Sequence, residues 1–504
     1  MSAKLLLSPL AILGIVCFVA AGELAAGTSP FFVAMVAVAI FSICVTYNML
    51  GGVGTIAGIG FSGFALGTLM VSQIGKAIIF ERADAGLDVP GLTIRVYAVY
   101  FFSLMLGTFT FSRIRLPLPR PVEPETLAQA RYLYILSLVG GLTGSVGVLA
   151  ERLAGGAAET SLTHGLARAL AYLLPFSLVL AVDDRIKTTN GRHCFGWMAL
   201  WPTLGMLFIG FATAGRTFLV EPFAIIFLTS HLRKYKFRKK HIFAAIGLIA
   251  LFFFYLSPYF LYVRAFRDRP TISEEVSVML RELQTAPAQW ETIKNVVEQD
   301  ALATPGLVNY FETPGAATLN RFALIGPDST LINACSTGFH YGFTSINLDL
   351  LAEVPRFLYP NKPEIGSNKY LGHLDGQESD AAETTNSTIT AISDSYGAFS
   401  WVGVIVFSFV VMPAIFVVYE SIFDSARPWG TVATSMLGFG IAAGSMGANI
   451  TETLVKTPIY IIVISALASW IIKVAPVVGD RAVVARKMNV RSVSPGNHPS
   501  ASAP

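Results

Sequence analysis

Charge is what this sequence has least of. Asp, Glu, Lys and Arg make up 13% of its 504 residues, against about 25% in an ordinary soluble domain. That scarcity excludes a soluble globular enzyme and a disordered chain. The 36 basic residues barely outnumber the 32 acidic ones, and a net charge of +4 is too small for the footprint of a nucleic-acid-binding protein, so no nucleic-acid partner is expected. Cysteine is equally sparse. Of the four, Cys17, Cys44 and Cys194 lie in or beside apolar stretches and leave Cys335 without a partner for an extramembrane disulfide. A disulfide scaffold is thereby excluded. No CxxC or Cys/His cluster is present, so no metal site or cofactor is expected. No repeat of 20–50 residues is visible either.

What is present is apolar. Hydrophobic residues make up 53% of the chain, and the mean hydropathy is +0.60. The class this leaves is an all-α polytopic membrane protein. A spanning helix needs about 20 mostly apolar residues, because lipid offers no partner for backbone polar groups. About twelve such transmembrane segments are expected, near 5–26, 30–50, 53–74, 92–112, 130–150, 165–182, 194–214, 216–231, 242–262, 398–419, 430–449 and 453–475. The first resembles a signal peptide, but its apolar core is longer than the usual ~7–15 residues, so a retained helix is expected. The run 194–231 must break near Gly215-Arg216.

Lys and Arg placement sets the orientation. With the N-terminus inside, cytoplasmic loops hold Arg113, Arg115 and Arg120, then Arg185, Lys187 and Arg192, then the basic run from Arg233 to Lys240. The opposite loops carry Lys76, Arg82, Arg152 and little else. The basic run is read as a topology anchor. The chain then divides into transmembrane helices 1–9 over 1–262, a large periplasmic loop or cap over 263–397, transmembrane helices 10–12 over 398–475, and a disordered cytoplasmic tail over 476–504. Both termini are expected in the cytoplasm.

The periplasmic segment opens with Arg264, Arg267 and Arg269. An amphipathic stretch follows from Thr271, and Pro287 divides it. From Arg321 to Leu351 the sequence turns apolar again and is expected to lie on, or dip into, the membrane face. A polar stretch over 365–390 reads as a loop, and Asp394, Tyr396 and Gly397 lead into the tenth span. A loop of this length is usually functional.

Charges at membrane depth are functional-site candidates by default. Arg216 stands at the break between spans seven and eight. There its planar donor fork suits phosphate oxygens; a snorkelling interfacial arginine is the structural alternative. Glu221 lies about 7–8 Å further along the same helix, a candidate base or a partner for Arg216. Arg264, Arg267, Arg321, Arg356 and Lys362 make a cationic outer cavity, whose natural tenant is an anionic lipid-linked substrate such as a diphosphate. His340 stands among aromatics that either stack on sugar rings or simply pack. Asp183-Asp184 falls on the inner side and reads as solvated loop.

These residues carry a family resemblance. The chain is similar to bacterial O-antigen/exopolysaccharide polymerases, on four features: about twelve spans with one large late outer loop; Gly215-Arg216-Thr217 at a helix end; Val354-Pro355-Arg356 followed by Pro360 and Lys362-Pro363; and the run from Asp394 to Gly403 entering a span like the family's "Y..FG..G". It departs from the last at Ser400, where Gly is usual. The resemblance covers 200–420 by motif and the rest by hydropathy. It implies a metal-independent membrane glycosyltransferase of the bacterial inner membrane that joins polyprenyl-diphosphate-linked oligosaccharide repeat units at the periplasmic face. A chain-length regulator is an implied partner, beside the lipid bilayer. Arginines would stabilise the leaving diphosphate, and Asp394, Glu221 or His340 would act as base. No Asp-x-Asp occurs in the outer segments. The nearest alternative is an O-antigen ligase, for which His340 or His373 would be the key histidine. A polysaccharide or lipid transporter is the alternative outside enzymes, and it predicts repeat symmetry that is not visible.

Overall fold

The computed structural model describes residues 6–118, 127–153, 173–212, 216–237, 324–353 and 389–423, with isolated residues elsewhere. Expectations for Arg264, Arg267, Arg321, Arg356, Lys362 and His373, and for the spans near 242–262, 430–449 and 453–475, lie outside the described residues. Among the described residues the secondary structure is helical and contains no strand.

Local sequence signals start the helices. Ser8 and Ser29 cap α1 (Pro9–Ala25) and α2 (Pro30–Met49), each with proline at the first helical position, where a missing N–H costs nothing. Asn48 ties the two ends together: it accepts from the Leu7 N–H and donates to the Leu7 carbonyl, both at 2.8 Å. Thr55 caps α3 (Ile56–Ile79), which carries a π-turn at Leu66–Met70. Next come α4 (Pro90–Phe111), α5 (Leu127–Leu153), α6 (Leu173–Thr188), α7 (Trp197–Ala212) and α8 (Arg216–Leu232). Two short helices follow, α9 (Ile325–Ser336) and α10 (Thr344–Glu353). The last described pair is α11 (Ala391–Val406) and α12 (Met412–Phe423), joined through a π-turn at Phe407–Val411.

Among the described residues, five stretches are long and apolar enough to cross a membrane: Pro30–Gly54, Ile56–Ile79, Pro90–Phe111, Leu127–Ala150 and Ala391–Ile422. The chain is a helical membrane protein. Serines and threonines inside these helices bond back to their own turns, as Ser42 does to the Val38 carbonyl and Thr68 to the Phe64 carbonyl, both at 2.8 Å. The hydroxyls of Thr46, Tyr100, Thr108 and Tyr419 are the exceptions: they are buried without a hydrogen-bond partner among the described residues. The apolar run at 194–231 breaks where expected, between α7 and α8, and the two halves pack side by side.

Packing joins α4 to α2, α11, the following π-turn and α12, while α5, α6, α7 and α8 pack on one another. Residue 107 of α4 is glycine because the Phe409 carbonyl occupies the space of its Cβ, 2.2 Å away. The segment expected to dip toward the membrane supplies α9. It docks on α4 and α11 through buried Ile325, Leu331 and Ile332.

Two expectations change. The helix expected from 398 begins at Ala391, capped by Thr390, whose hydroxyl accepts from the Ile392 N–H at 3.2 Å. Asp394, Tyr396 and Gly397 therefore lie inside the helix. The pattern concealed this start because polar residues there face protein rather than water. Asp183 and Asp184 are not solvated loop. They belong to the last turns of α6, are buried, and meet three cations: Lys187 at 2.7 Å and Arg233 on Asp183, and Arg131 at 3.2 Å on Asp184. Paired charges can be buried at modest cost where single ones cannot.

Candidate functional site

The Ala391 end of α11 gathers the described polar side chains that the packing does not explain. This helix is broken. Phe399 (φ −140°, ψ 24°) and Ser400 (φ 54°, ψ −146°) leave helical geometry, so carbonyls before the break lose their usual partners. Irregular backbone at membrane depth persists only where protein re-satisfies it or where it lines a cavity. The loop at 338–343 does the former. The Tyr341 N–H donates to the Gly397 carbonyl at 3.2 Å, and the Gly342 N–H to the Ala398 carbonyl at 3.1 Å.

Both glycines flanking the break are required by close contact. A Cβ at 397 would stand 2.6 Å from the Tyr341 ring, and one at 403 would stand 2.1 Å from the Ser395 carbonyl. Ser400 holds a backbone conformation that L-residues rarely adopt.

The loop is fastened by a carboxylate. Asp394, 1% exposed, accepts from the Tyr341 hydroxyl at 2.8 Å and the Ser345 hydroxyl at 3.1 Å. The Tyr341 hydroxyl also lies 3.0 Å from the Asp394 carbonyl. Burial, and next the Asp394 charge, push the Tyr341 phenol well above its ordinary pKa. Tyr341 therefore stays a donor across the physiological range. Oδ1 of Asp394 is thus engaged in holding the loop, the geometry of a positioning residue.

His340 is placed differently. Its side chain is exposed, and Nδ1 lies 3.3 Å from the Gly397 carbonyl. A carbonyl can only accept, so the contact is a hydrogen bond in the tautomer that carries its proton on Nδ1, and in that tautomer Nε2 is the acceptor. The ring meets Tyr396 edge-on at 6.1 Å, and Tyr396 meets Trp401 at 5.7 Å.

One residue missed by sequence reasoning anchors this end. Asp328 of α9 is fully buried and gathers four donors. They are the Tyr97 hydroxyl at 2.5 Å, the Thr390 N–H at 2.9 Å, the Ser393 hydroxyl at 2.6 Å and the Thr390 hydroxyl. Beside it the Ser329 hydroxyl accepts from the Val89 N–H at 3.3 Å and bonds the Thr93 hydroxyl at 3.0 Å. Burial raises the Asp328 carboxyl above its ordinary value, against the opposing pull of Ser393, Thr390 and Tyr97. The network locks α9, α4 and the start of α11 together. Its available signal was a lone acid within the apolar run 322–332.

Of the sequence candidates, the structure brings together Asp394 and His340. Arg216 is the first residue of α8, and its side chain lies outside the described part. Glu221 is buried in α8, and its Oε1 has no hydrogen-bond partner among the described residues. Its helix packs on α6 and α7, whereas α11 packs on α4 and α9. Among the described residues no group of three His, Cys, Asp or Glu side chains is spaced to hold a metal. Comparison with protein-family models, with curated proteins and with solved structures finds no match to this chain.

Proposed function

We propose that this protein is a membrane-embedded glycosyltransferase of the bacterial inner membrane. Its reaction is the polymerisation of polyprenyl-diphosphate-linked oligosaccharide repeat units into O-antigen or exopolysaccharide at the periplasmic face. The observation that carries this reading is an exposed imidazole whose Nδ1 faces a backbone carbonyl, held on a carboxylate-anchored loop at a break in a spanning helix. In the reaction, the acceptor sugar hydroxyl gives its proton to Nε2 of His340. Its oxygen forms the new bond to the donor's anomeric carbon as the bond from that carbon to the diphosphate breaks. The diphosphate leaves with the electron pair. Positioned cations stabilise that developing charge, a role for Arg216 and for Arg264, Arg267, Arg321, Arg356 and Lys362. Asp394 holds the loop in place, and Glu221 belongs to the α8 side of the molecule.

The exposure of His340 also favours a second reading, an O-antigen ligase that moves finished glycan onto a lipid acceptor. A deletion strain complemented with wild type, His340→Ala or Arg216→Ala separates the two. Single repeat units capped on the acceptor identify a polymerase, and no attached glycan identifies a ligase. Long-chain glycan from the His340→Ala strain at wild-type level refutes His340 as base.

A further inference from the structure

Arg95 occupies an unusual position. Between Thr93 and Ala98 of α4, every other residue is buried against protein and Arg95 alone is exposed. Its Nε is pinned to the Gly91 carbonyl at 2.8 Å, which leaves the two terminal nitrogens of the guanidinium without an acceptor among the described residues. The charge lies within electrostatic reach of the Tyr396 phenol, and Tyr396 is the residue whose ring abuts His340 and Trp401. Arg95 thus belongs to the surface that presents the imidazole.

Below it the helix changes character. Phe102 and Leu106 continue the Arg95 face toward the opposite end of α4, and they are 45% and 42% exposed. On the neighbouring α11, Val402 and Ile405 are 68% and 47% exposed. An apolar stripe about 10–17 Å long, at 1.5 Å rise per residue, therefore runs from the guanidinium down a spanning helix. The guanidinium suits phosphate oxygens, and the stripe suits hydrocarbon. A long-chain lipid ending in phosphate uses both.

We infer that Arg95 and the apolar stripe beneath it form a docking site for a polyprenyl-type lipid phosphate, with the phosphate oxygens on the guanidinium and the chain along α4. A planar guanidinium offers two parallel donors to phosphate oxygens. The inference rests on the transferase reading for its biological meaning, but not for its test.

The test uses the full-length protein in phosphatidylcholine nanodiscs, titrated with a radiolabelled polyprenyl diphosphate. Arg95→Gln is expected to weaken binding about tenfold or more, the worth of a charge-assisted hydrogen bond. Arg95→Lys is expected to fall between. Arg82→Gln, which removes an exposed cation paired with Asp84, should leave the affinity unchanged and serves as the folding control. Unchanged affinity in Arg95→Gln overturns the site. Equal displacement by phosphatidylglycerol overturns the polyprenyl assignment, and equal binding of inorganic pyrophosphate overturns the role of the stripe. Binding is read in His340→Ala as well: retained binding there supports the site whatever the transfer assay shows, so the two proposals fail separately.

Discussion

Replacing Tyr341 by Phe isolates the contact that fastens the His340 loop. The ring keeps its place against Gly397, and only the hydroxyl goes. With it goes the 2.8 Å bond to the Asp394 carboxylate, leaving the 3.1 Å bond from Ser345. A hydrogen bond to a charged group contributes about 1.5–3 kcal/mol, and a buried acceptor left short of donors costs in the same range. Tyr341→Phe is therefore expected to destabilise by about 2 kcal/mol. That corresponds to a drop of about 2 °C in the unfolding midpoint of a protein this size, read by thermal shift in detergent. Asp394→Asn alone should cost a similar amount. The double variant should cost clearly less than the sum, with a coupling energy of about 1 kcal/mol or more. A second signature is pH. The phenol pKa is raised in the folded state relative to about 10 in the unfolded chain. The unfolded state then sheds this proton first, and stability falls as pH rises above about 10. Tyr341→Phe should flatten that alkaline slope. Additive losses in the cycle together with an unaltered slope would refute the carboxylate anchor.

The break in α11 makes a prediction of opposite sign. Ser400 sits at φ 54°, where a non-glycine residue costs about 1–3 kcal/mol, so Ser400→Gly should raise the unfolding midpoint despite glycine's greater unfolded-state entropy. A lowered midpoint tells against the strain. Asp328→Ala leaves Tyr97, Ser393 and the Thr390 N–H without their buried acceptor. The expected loss is about 3–5 kcal/mol, seen as reduced yield and a lower midpoint; a neutral substitution contradicts the network. Gly397→Ala forces the Tyr341 ring aside and should open the 338–343 loop to proteolysis, where an unchanged cleavage pattern disproves the close approach. The topology expectation is checked by a cysteine replacing Asp380, outside the described residues. It should react with an impermeant thiol reagent from the periplasmic side of intact cells. Labelling only after the inner membrane is permeabilised inverts the orientation.

Much of the scaffold was legible because membrane depth imposes a simple rule on sequence. Five of the expected spans, 30–50, 53–74, 92–112, 130–150 and 398–419, overlap the described stretches that are long and apolar enough to cross a membrane, because about 20 apolar residues must close their own backbone bonds. The Ser-Pro starts of α1 and α2 and the break before Arg216 were equally local. Asp394 and His340 were identified as candidates, but their roles were not. Nothing in one-dimensional order says that the Asp394 carboxylate turns inward to Tyr341 and Ser345, or that the imidazole is left outside.

What the sequence determined by itself was therefore class and depth: a helical membrane chain, with scarce charges worth locating. Those follow from composition and periodicity, which are local properties. The tertiary structure alone decided which charges are spent on the fold and which remain available. Asp183, Asp184, Asp328 and Asp394 find partners 49 to 65 residues away and more, whereas Arg95 and His340 keep atoms free among the described residues. A hydrogen-bond donor brought from a distant helix leaves no local trace in the chain it serves, so only packing could separate anchors from the residues that face a substrate.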